Sequence, residues 1–489
     1  MKKTKINKTV FLTGATGNMG WAGFQELYRR KGRFNITLLA RPSKKNHRLL
    51  KPYENDPSVR IIWGNLMNYD DVLSGVTGAD YVLHVGGMVS PQADYYPEKT
   101  LEVNVKAAEN IVRAILAQPD RDNIRAVYIG SVAQCGDRLP PVHWGRTGDP
   151  VYASEYDKYS VSKCIAEKVF ADSGLKWWVS LRQSGILYPA IVKKMDPIMF
   201  HVPVRGVLEW ATIEDSGRLL ANVCESSVPD EFWNRFYNIG SGEQYRLTNY
   251  EFERILLGAL GLDIEKVFEP QWFATRNFHG MWYLDSDVLD GYLHFRENVP
   301  ADQYFKRLVS RLPWYYSLAR LVPAPVVKKF LKPLTEVRDL GSQYWVRHDP
   351  DRLAAYYGSM EEYRKIGSWE QVRPGYMEKD MEKALGSGEA FFLNHGYDTS
   401  RSIYSLTLSE IERAAEFRGG RFIGPADRIG EKGVLFEWEC EHGHRFTASL
   451  EYVLLGGGWC SVCDPDSVRT HVTPKNRFTW QVLSGQCLE

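Results

Sequence analysis

The chain has 489 residues, a formal net charge of +1 and seven cysteines, with 44% hydrophobic and 25% charged residues. This is the composition of a globular protein with room for roughly two to four domains, and the balanced charge excludes a global attraction to nucleic acid or membranes. No apolar run reaches the roughly 18 residues that cross a bilayer, the N-terminus lacks a signal peptide's apolar core, and the scattered cysteines favour a reducing compartment, so we expect a cytoplasmic protein.

Residues 8 to about 190 alternate between β-branched runs and helix-like stretches. Amphipathic segments such as Gly20–Arg30 and Val105–Gln118 separate six runs that read as buried strands: TVFLTG, NITLLA, VRIIWG, DYVLHV, RAVYIG and KWWVSLR. This alternation predicts an α/β fold with a doubly wound parallel Rossmann sheet. Residues 190–300, with a helix at Asn249–Leu260, are expected to form a smaller region that covers the substrate at the carboxyl edge of the sheet.

The first predicted strand runs into a glycine-rich turn, GATGNMG, that opens a helix. Its first glycine permits the tight turn, its second lets the backbone approach a pyrophosphate, and its third lets helix and strand pack closely. A strand before the turn and a helix after it are the context that this motif needs. The turn is therefore expected to bind a dinucleotide through Gly14, Thr16, Gly17, Asn18, Met19 and Gly20.

The residues after the next two strands indicate which dinucleotide binds. The second strand ends in LLARPSKK, at a place where an NAD-selective site has a carboxylate. Arg41, with Ser43 and Lys44 beside it, instead favours the 2′-phosphate of NADP(H) over NAD(H), although a solvated basic loop has the same composition. After the third strand, Asn65 and Leu66 stand where an acidic residue commonly meets the adenine, and the Asn65 amide can still bond the base edge.

A tyrosine and a lysine open a later predicted helix, YSVSKCIAEKV. Their i, i+4 spacing puts Tyr159 and Lys163 on one face, where a positive charge would favour the phenolate that exchanges a proton with a substrate oxygen. Ser131, at the end of the fifth strand, can hold that oxygen in line. Such pairs are frequent by chance, and this one gains its weight from the serine and the nucleotide turn that precede it.

With these motifs in this order, residues 8–300 resemble the extended short-chain dehydrogenase/reductase family. The matching segments are GATGNMG, GNL, HVGG, VNVKAAEN, GSVAQCG, YSVSK, LRQSGILYP and NIGSG. The resemblance implies that Tyr159 is the general acid/base, Lys163 its tuner and ribose ligand, and Ser131 the polarising hydroxyl. It further implies a homodimer formed through the helix that contains Tyr159, and a cofactor ribose and nicotinamide lined by His84, Val85, Gly86, Asn104 and Ser184.

The family contains carbonyl reductases, hydroxysteroid dehydrogenases, and nucleotide-sugar epimerases and dehydratases. The segment after Ser131 lacks the acidic residues that dehydratases add, Gly185 replaces the Asn frequent in sugar epimerases, and Arg41 indicates exchangeable NADP(H). We therefore expect hydride transfer between NADPH and a carbonyl carbon, or the reverse, in an enzyme of the ketone-reductase or hydroxysteroid-dehydrogenase type. The tryptophans favour an apolar or aromatic small-molecule substrate, and a nucleotide-sugar epimerase is the alternative.

Residues 301–404 are expected to form a helical, aromatic-rich extension, of which 341–404 carry no motif that we can assign. The stretch Tyr304–Thr335 has seven Lys or Arg residues and no acidic residue, interleaved with aromatic and aliphatic side chains. Breaks at Pro313 and Pro323 predict two short amphipathic helices. Such a hairpin is either a packed helix pair with a solvated basic face or an element that contacts a membrane surface.

Residues 405–489 are predicted to contain a small zinc-binding module. Cys440 and His444, followed by Cys460 and Cys463, supply four ligands from two knuckles, which fill a tetrahedral Zn²⁺ site and make it structural. His442 is the competing ligand, and the turn permitted by the glycine between the two histidines favours His444. Residues 406–465 resemble treble-clef zinc modules with an Arg-Gly-Gly before a Trp-x-Cys-x-x-Gly-His hairpin.

Zinc modules of this kind often accompany nucleic-acid enzymes. An alternative class of protein is therefore a non-catalytic nucleic-acid-binding protein that senses NADP(H). A nucleic-acid footprint is basic, however, and Glu437, Glu439 and Glu441 lie beside the knuckle. We therefore do not expect nucleic acid as a partner, and we assign the module a structural or oligomerisation role.

Overall fold

The computed structural model describes residues 7–139, 143–193, 195–374 and 393–463. Its strands are β1 (Lys8–Thr13), β2 (Phe34–Ala40), β3 (Val59–Trp63), β4 (Tyr81–His84), β5 (Arg125–Ser131), β6 (Trp144–Gly145), β7 (Trp178–Gln183), β8 (Ile186–Leu187), β9 (Val207–Glu209), β10 (Ala211–Thr212), β11 (Arg235–Ile239), β12 (Arg246–Thr248), β13 (Trp282–Tyr283), β14 (Gly420–Gly424), β15 (Leu435–Cys440) and β16 (Arg445–Ser449).

The α-helices follow in the same chain order, and short 3₁₀ turns connect several of them. They are α1 (Asn18–Arg29), α2 (Lys44–Leu50), α3 (Tyr69–Val76), α4 (Gln92–Tyr95), α5 (Pro97–Leu116), α6 (Lys158–Ala171), α7 (Ile213–Asn222), α8 (Asn249–Ala259), α9 (Ile264–Val267), α10 (Ser286–Leu293), α11 (Ala301–Ser310), α12 (Ala324–Leu331), α13 (Ser342–His348), α14 (Pro350–Tyr357), α15 (Met360–Arg364), α16 (Trp369–Val372) and α17 (Leu408–Phe417).

A seven-stranded parallel sheet, in the order β11-β7-β5-β4-β1-β2-β3, organises the first half of the chain. Its central strands are continuously apolar because helices cover both faces. Phe11 and Tyr128 point into a core shared with α3, α5 and α6, whereas Leu12 and Val127 point into a core shared with α1 and α7. The predicted α/β fold with a doubly wound sheet is confirmed, and each of the six predicted runs overlaps one of its strands, with ends that differ by one or two residues.

The sheet extends beyond the boundary near residue 190 that the sequence indicated. β11 adds a seventh strand from the region expected to cover the sheet, and it pairs with β7 from Arg235 opposite Val179 to Ile239 opposite Gln183. Helix α7 packs on α1, with Leu220 against Gly23. These later elements belong to the Rossmann core because the chain crosses back to the sheet edge after forming the substrate-covering loops, a return that local periodicity does not reveal.

Helices α8, α9 and α11 to α16, with several two-stranded pairs, form the region beside the carboxyl edge of the sheet, whereas α10 packs in the core of the sheet. An aromatic cluster that includes Phe200, Phe268 and Trp272 joins the segment around residue 200 to α9, α12 and α16. The stretch Tyr304–Thr335 has four helical pieces rather than two: most of α11, a 3₁₀ helix at Trp314–Leu321, α12, and the start of a 3₁₀ helix at Lys332–Glu336. The breaks fall at Pro313 and Pro323, as predicted, because proline removes a backbone donor and disfavours helix in the residue before it.

The C-terminal module consists of α17 and the antiparallel sheet β14-β15-β16, and it shares a hydrophobic core with α6. Lys168 Nζ on α6 donates a hydrogen bond of 2.7 Å to the Thr447 carbonyl, and Ser449 Oγ donates one of 2.7 Å to Asp172 Oδ1. The guanidinium of Arg182 on β7 donates to the Gly456 carbonyl. The module is therefore packed on the Rossmann domain rather than appended to it.

In the part of the chain that the structure describes, no helix combines the length and the apolar character needed to cross a bilayer.

Candidate active site

The glycine-rich turn after β1 has the backbone geometry that only glycine tolerates well. Gly14 has a φ of +73°, and a Cβ at this position would lie 2.7 Å from the backbone nitrogen of Gly86. Thr13 Oγ1 accepts hydrogen bonds from the backbone amides of Val85 and Gly86 at 3.1 and 3.0 Å. The turn and the loop after β4 are thus held edge to edge, and a side chain on Gly14 would push them apart.

Helix α1 begins at Asn18 directly after this turn. Its N-cap residue, Gly17, provides no side-chain hydrogen bond to the first turn of the helix, and no acidic residue lies there. The first backbone amides of a helix lack intrahelical partners and carry a partial positive charge, so they suit a pyrophosphate. Residues Gly14 to Gly20 therefore fit a dinucleotide, as the motif predicts.

The basic loop after β2 is exposed and leads into α2. Arg41 is exposed and forms no ion pair with any residue that the structure describes, while Asn46 Nδ2 donates 2.9 Å to the Arg41 carbonyl. Ser43 caps α2 by accepting from the Asn46 amide, and Lys44 is the first helical residue. This places an unpaired guanidinium and an ammonium at the carboxyl end of β2, on which a phosphate can bind.

The turn after β3 is held by its own side chains. Asn65 Oδ1 accepts a hydrogen bond of 3.1 Å from the backbone amide of Met67. The backbone amide of Asn65 donates one of 2.8 Å to Asp71 Oδ2. Leu66 lies against Gly86. Asp71 thus fixes the turn, and the side-chain NH₂ group of Asn65 stays available for a base edge.

The tyrosine and the lysine lie in the first two turns of α6. Lys163 Nζ is 5.9 Å from the centre of the Tyr159 ring and donates a hydrogen bond of 2.8 Å to the Ile129 carbonyl on β5. Ser131 ends β5, where its Oγ accepts from the Ala133 amide at 3.2 Å. Its hydroxyl is close enough to the phenol to lower the phenol pKa by hydrogen bonding. The structure therefore brings the three predicted catalytic residues together.

The ionisation of the pair differs from the expectation that Lys163 favours a phenolate. Burial raises the pKa of Tyr159 to about 12, against the opposing hydrogen bond from Ser131, and burial lowers the pKa of Lys163 to about 8, against the attraction of Glu167. The attraction of Lys163 for a phenolate is smaller than the desolvation cost of the phenol, because its ammonium is directed to the Ile129 carbonyl. Tyr159 is thus a neutral phenol at pH 7 and stands ready to donate its proton.

Three side chains expected to line the cofactor already bond protein groups. His84 is buried with Nδ1 3.1 Å from Thr13 Oγ1, and desolvation lowers its pKa to about 3, so it is neutral. Asn104 exchanges hydrogen bonds with the backbone of Met88 and donates to Ser162 Oγ at 2.9 Å. Ser184 Oγ donates to the Glu209 carbonyl. These side chains position the loop after β4 and the end of β7, and Asn104 ties that loop to α6.

An apolar cavity of about 650 Å³ lies beside these residues. It reaches Val132, directly after Ser131, and Gly185, directly after Ser184. It also reaches His279, whose Nδ1 is 3.1 Å from Oδ2 of Asp157, the N-cap of α6. Further walls come from β8 and β9, from α8 and from the segment that contains Tyr316. The cavity thus reaches the sequence neighbours of Ser131 and Ser184, and Ser131, Tyr159 and Lys163 are not among its lining residues.

The cavity wall contains few charges. Arg138 donates to Asp149 Oδ2 at 3.2 Å and to the Trp144 carbonyl, so its charge is already paired. Burial raises the pKa of Glu253 to about 8, which leaves this carboxyl mostly neutral at pH 7. Sequence reasoning missed Glu253, and it missed the Asp157–His279 pair although an Asp before the YSVSK helix is a capping signal.

The predicted zinc ligands Cys440, His444, Cys460 and Cys463 converge, with their ligand atoms within 4.8 Å of one another. Cys440 and Cys463 Sγ are 3.8 Å apart, which matches the edge of about 3.8 Å expected for a tetrahedron with Zn–S bonds of about 2.3 Å. His444 Nδ1 lies 3.3 Å from Cys463 Sγ and 3.8 Å from Cys460 Sγ. Gly443, with a φ of +76°, makes the turn that places His444, and the set fits Zn²⁺.

Residues 10–179 match the sequence model of the NAD dependent epimerase/dehydratase family. Among curated relatives, UDP-glucose 4-epimerase from Rickettsia bellii is 28% identical over 113 residues, 22% of this chain and 33% of that protein. The enzyme of the same name from Rickettsia conorii is 28% identical over 116 residues, 23% of this chain and 33% of that protein. The chain thus spans about a third of the length of the curated relatives it matches.

Two solved structures show the same fold over a larger part of the chain. A double mutant of the dTDP-glucose 4,6-dehydratase DesIV from Streptomyces venezuelae, with NAD bound, is 19% identical with a TM-score of 0.50, covering 67% of this chain and 100% of that one. The dTDP-glucose 4,6-dehydratase from Bacillus anthracis in complex with NAD is 15% identical with a TM-score of 0.50, covering 67% and 99%. The predicted resemblance to extended short-chain dehydrogenase/reductases is confirmed at the level of family and fold.

Proposed function

We propose that this chain is an NADP(H)-dependent oxidoreductase that transfers hydride to or from the carbonyl or hydroxyl carbon of an apolar or aromatic small molecule. The observation that carries the proposal is the apolar cavity that begins beside Ser131 and reaches the capping contact of the Tyr159 helix. A cavity of this size and polarity suits a ring-containing ketone or alcohol.

The side chains have distinct tasks in this reaction. Ser131 and Tyr159 bind the substrate oxygen, and the neutral phenol donates its proton as the carbonyl bond becomes a hydroxyl. Lys163, fixed by the Ile129 carbonyl, keeps its ammonium 5.9 Å from the centre of the Tyr159 ring, where it partly stabilises the phenolate formed by that proton transfer. The bound nicotinamide supplies or accepts the hydride. In the reverse direction the phenolate takes the hydroxyl proton as hydride leaves the carbon.

A nucleotide-sugar epimerase on the same fold is the second candidate, and the names of the curated relatives favour it. Its substrates carry a diphosphate, which needs cations or free backbone amides. Among the described residues that line the cavity, Arg138 is the only Lys or Arg. Its guanidinium already donates a hydrogen bond to Asp149. Position 185 is Gly instead of Asn. We therefore rank the epimerase below the reductase, and a nucleic-acid-binding role of the zinc module below both.

The reductase proposal is tested by turnover. Purified protein is expected to oxidise NADPH in the presence of bicyclic and tricyclic ketones, and to do so faster than with small polar ketones because the cavity wall is apolar. A parallel assay with UDP-glucose and UDP-galactose measures epimerisation. Interconversion of the UDP-sugars without NADPH consumption on any apolar ketone would establish the epimerase instead.

The NADP preference is tested at Arg41. The Arg41→Asp variant is expected to lower the ratio of kcat/KM for NADPH over NADH by about 100-fold, because a charge-assisted contact of about 1.5–3 kcal/mol is lost and the new carboxylate repels the 2′-phosphate. The matched control is Arg29→Asp, the same charge change at the exposed far end of α1, which should leave the ratio unchanged. An unchanged ratio in Arg41→Asp would show that the 2′-phosphate binds elsewhere.

A further inference from the structure

The helical segment after α11 exposes an unusually dense group of large apolar side chains. Trp314, Leu321 and Phe330 are 77%, 72% and 76% exposed. Single exposed apolar residues are ordinary, but seven of the sixteen large ones in the described parts of the chain fall within this one stretch. We call this group the apolar face; it comprises Trp314, Tyr315, Leu318, Leu321, Val322, Val326 and Phe330.

The charged residues within the stretch that carries the apolar face have one sign. Between Tyr304 and Thr335 the chain has seven Lys or Arg residues and no acidic one. Arg320, Lys329 and Lys332 are exposed and form no ion pair with residues in the described ranges. Exposed apolar side chains with unpaired cations at their edge are the composition of an interfacial helix on an anionic membrane.

The same short helices separate the apolar face from the cavity. Tyr316 and Ala319 from the 3₁₀ helix, and Val327 and Leu331 from α12, line the cavity, while their neighbours in sequence point to solvent. Val322 and Phe330 belong to both surfaces. The wall between cavity and solvent is therefore one layer of helix here, and both of its sides are apolar.

We propose that the apolar face docks on an anionic lipid bilayer, and that the substrate is a membrane-dissolved ketone or alcohol that enters the cavity between the 3₁₀ helix and α12. The docking rests on the exposed residues alone, and the entry of substrate rests on the proposed function. A second copy of the chain is a poorer occupant, because a symmetric contact would place Arg320, Lys329 and Lys332 against the same cations.

Docking is measured by co-sedimentation of the full chain with phosphatidylcholine vesicles, with and without about 30% phosphatidylserine. Binding is expected only with the anionic lipid. The Leu318→Ser/Leu321→Ser variant should lower the partition coefficient by about tenfold or more, because two side chains no longer leave water. Arg320→Glu should lower it by about fivefold or more on anionic vesicles. Leu318, Arg320 and Leu321 are not among the residues that line the cavity.

The matched control is Val288→Ser, which removes a half-exposed apolar side chain on α10. It should bind vesicles as the unmodified chain does. Absence of binding to anionic vesicles, or equal binding by Leu318→Ser/Leu321→Ser, would overturn the docking proposal. Concentration-dependent dimerisation that this double variant abolishes, without vesicle binding, would overturn it in favour of a second copy.

An activity measurement separates docking from the proposed function. With a ketone dissolved in anionic vesicles, the Leu318→Ser/Leu321→Ser variant should lose about tenfold in rate, whereas with a ketone dissolved in water it should keep the full rate. Equal rates on the vesicle-held ketone would overturn substrate entry from the membrane. Absence of turnover of either ketone in the unmodified chain would overturn the proposed function together with substrate entry, and would leave vesicle docking standing.

Discussion

The Tyr159→Phe variant is expected to lower kcat for NADPH-dependent ketone reduction by about a thousandfold or more. The substitution removes only the phenolic oxygen, which is the proton donor, and keeps the ring in α6. Burial keeps this phenol protonated at pH 7, so it can supply the proton beside Ser131. The measurement is the rate of NADPH oxidation at saturating ketone, together with the Kd of NADPH.

The Kd of NADPH should change little in Tyr159→Phe, because the glycine-rich turn and the basic loop after β2 bind the phosphates. The control variant is Tyr96→Phe, which removes a phenolic oxygen from an exposed tyrosine at the start of α5 and should keep the full rate. A Tyr159→Phe enzyme that retains most of its kcat would show that another group donates the proton, and the assignment of the active site would be wrong.

The Cys460→Ser variant is expected to abolish binding of about one zinc ion per chain and to lower the free energy of unfolding by about 4 kcal/mol or more. A three-ligand site binds zinc much more weakly, and a module this small depends on its metal to fold. Zinc content is measured by a metal-sensitive dye, and stability by denaturant unfolding.

The same variant should also lower reductase activity, because the module packs directly on the catalytic helix. Lys168 and Asp172 on α6 bond the backbone and side chains of β16, and Arg182 bonds Gly456. The matched control is His442→Ala, since His442 lies outside the four-ligand cluster although its Nδ1 is 3.5 Å from Cys463 Sγ. Full zinc content in His444→Ala with loss in His442→Ala would reverse the ligand choice.

The elements that carry strong local signals were predictable from the sequence. The strand, the turn and the helix around Gly14 each have a distinct pattern, and so do Tyr159 and Lys163 at their i, i+4 spacing. The Cys/His cluster was predictable for the same reason, because coordination chemistry dictates the spacing of knuckles. Each of these features depends on a few residues that are close together in the chain.

Features that depend on tertiary contacts were not predictable. β11 joins the sheet through pairing with β7, more than fifty residues earlier in the chain. The neutral phenol at Tyr159 results from burial, and the direction of the Lys163 ammonium results from the position of Ile129. The polar side chains of Asn104 and Ser184 are occupied by Met88 and Glu209, which no local pattern connects to them.

The oligomeric state expected from the family resemblance stays a prediction. In a homodimer formed through the Tyr159 helix, α6 would contact a partner. Here Phe170 shares a core with Tyr452 of the C-terminal module, and Lys168 lies over the Tyr452 ring at 5.5 Å. The neighbouring helix α5 exposes charged positions, including Glu102, Lys106 and Glu109. A dimer through these helices would have to use the surface that the module leaves free.

The most direct test of the central claim is the fate of the transferred hydride. With NADPH deuterated at carbon 4 of the nicotinamide and a bicyclic ketone, we expect deuterium on the carbinol carbon of the alcohol, with one NADP⁺ formed for each alcohol. A reductase releases its oxidised cofactor after each turnover, whereas an epimerase returns the hydride to the same sugar. Deuterium that stays on the cofactor, with UDP-galactose converted to UDP-glucose and no net NADPH consumption, would contradict the account.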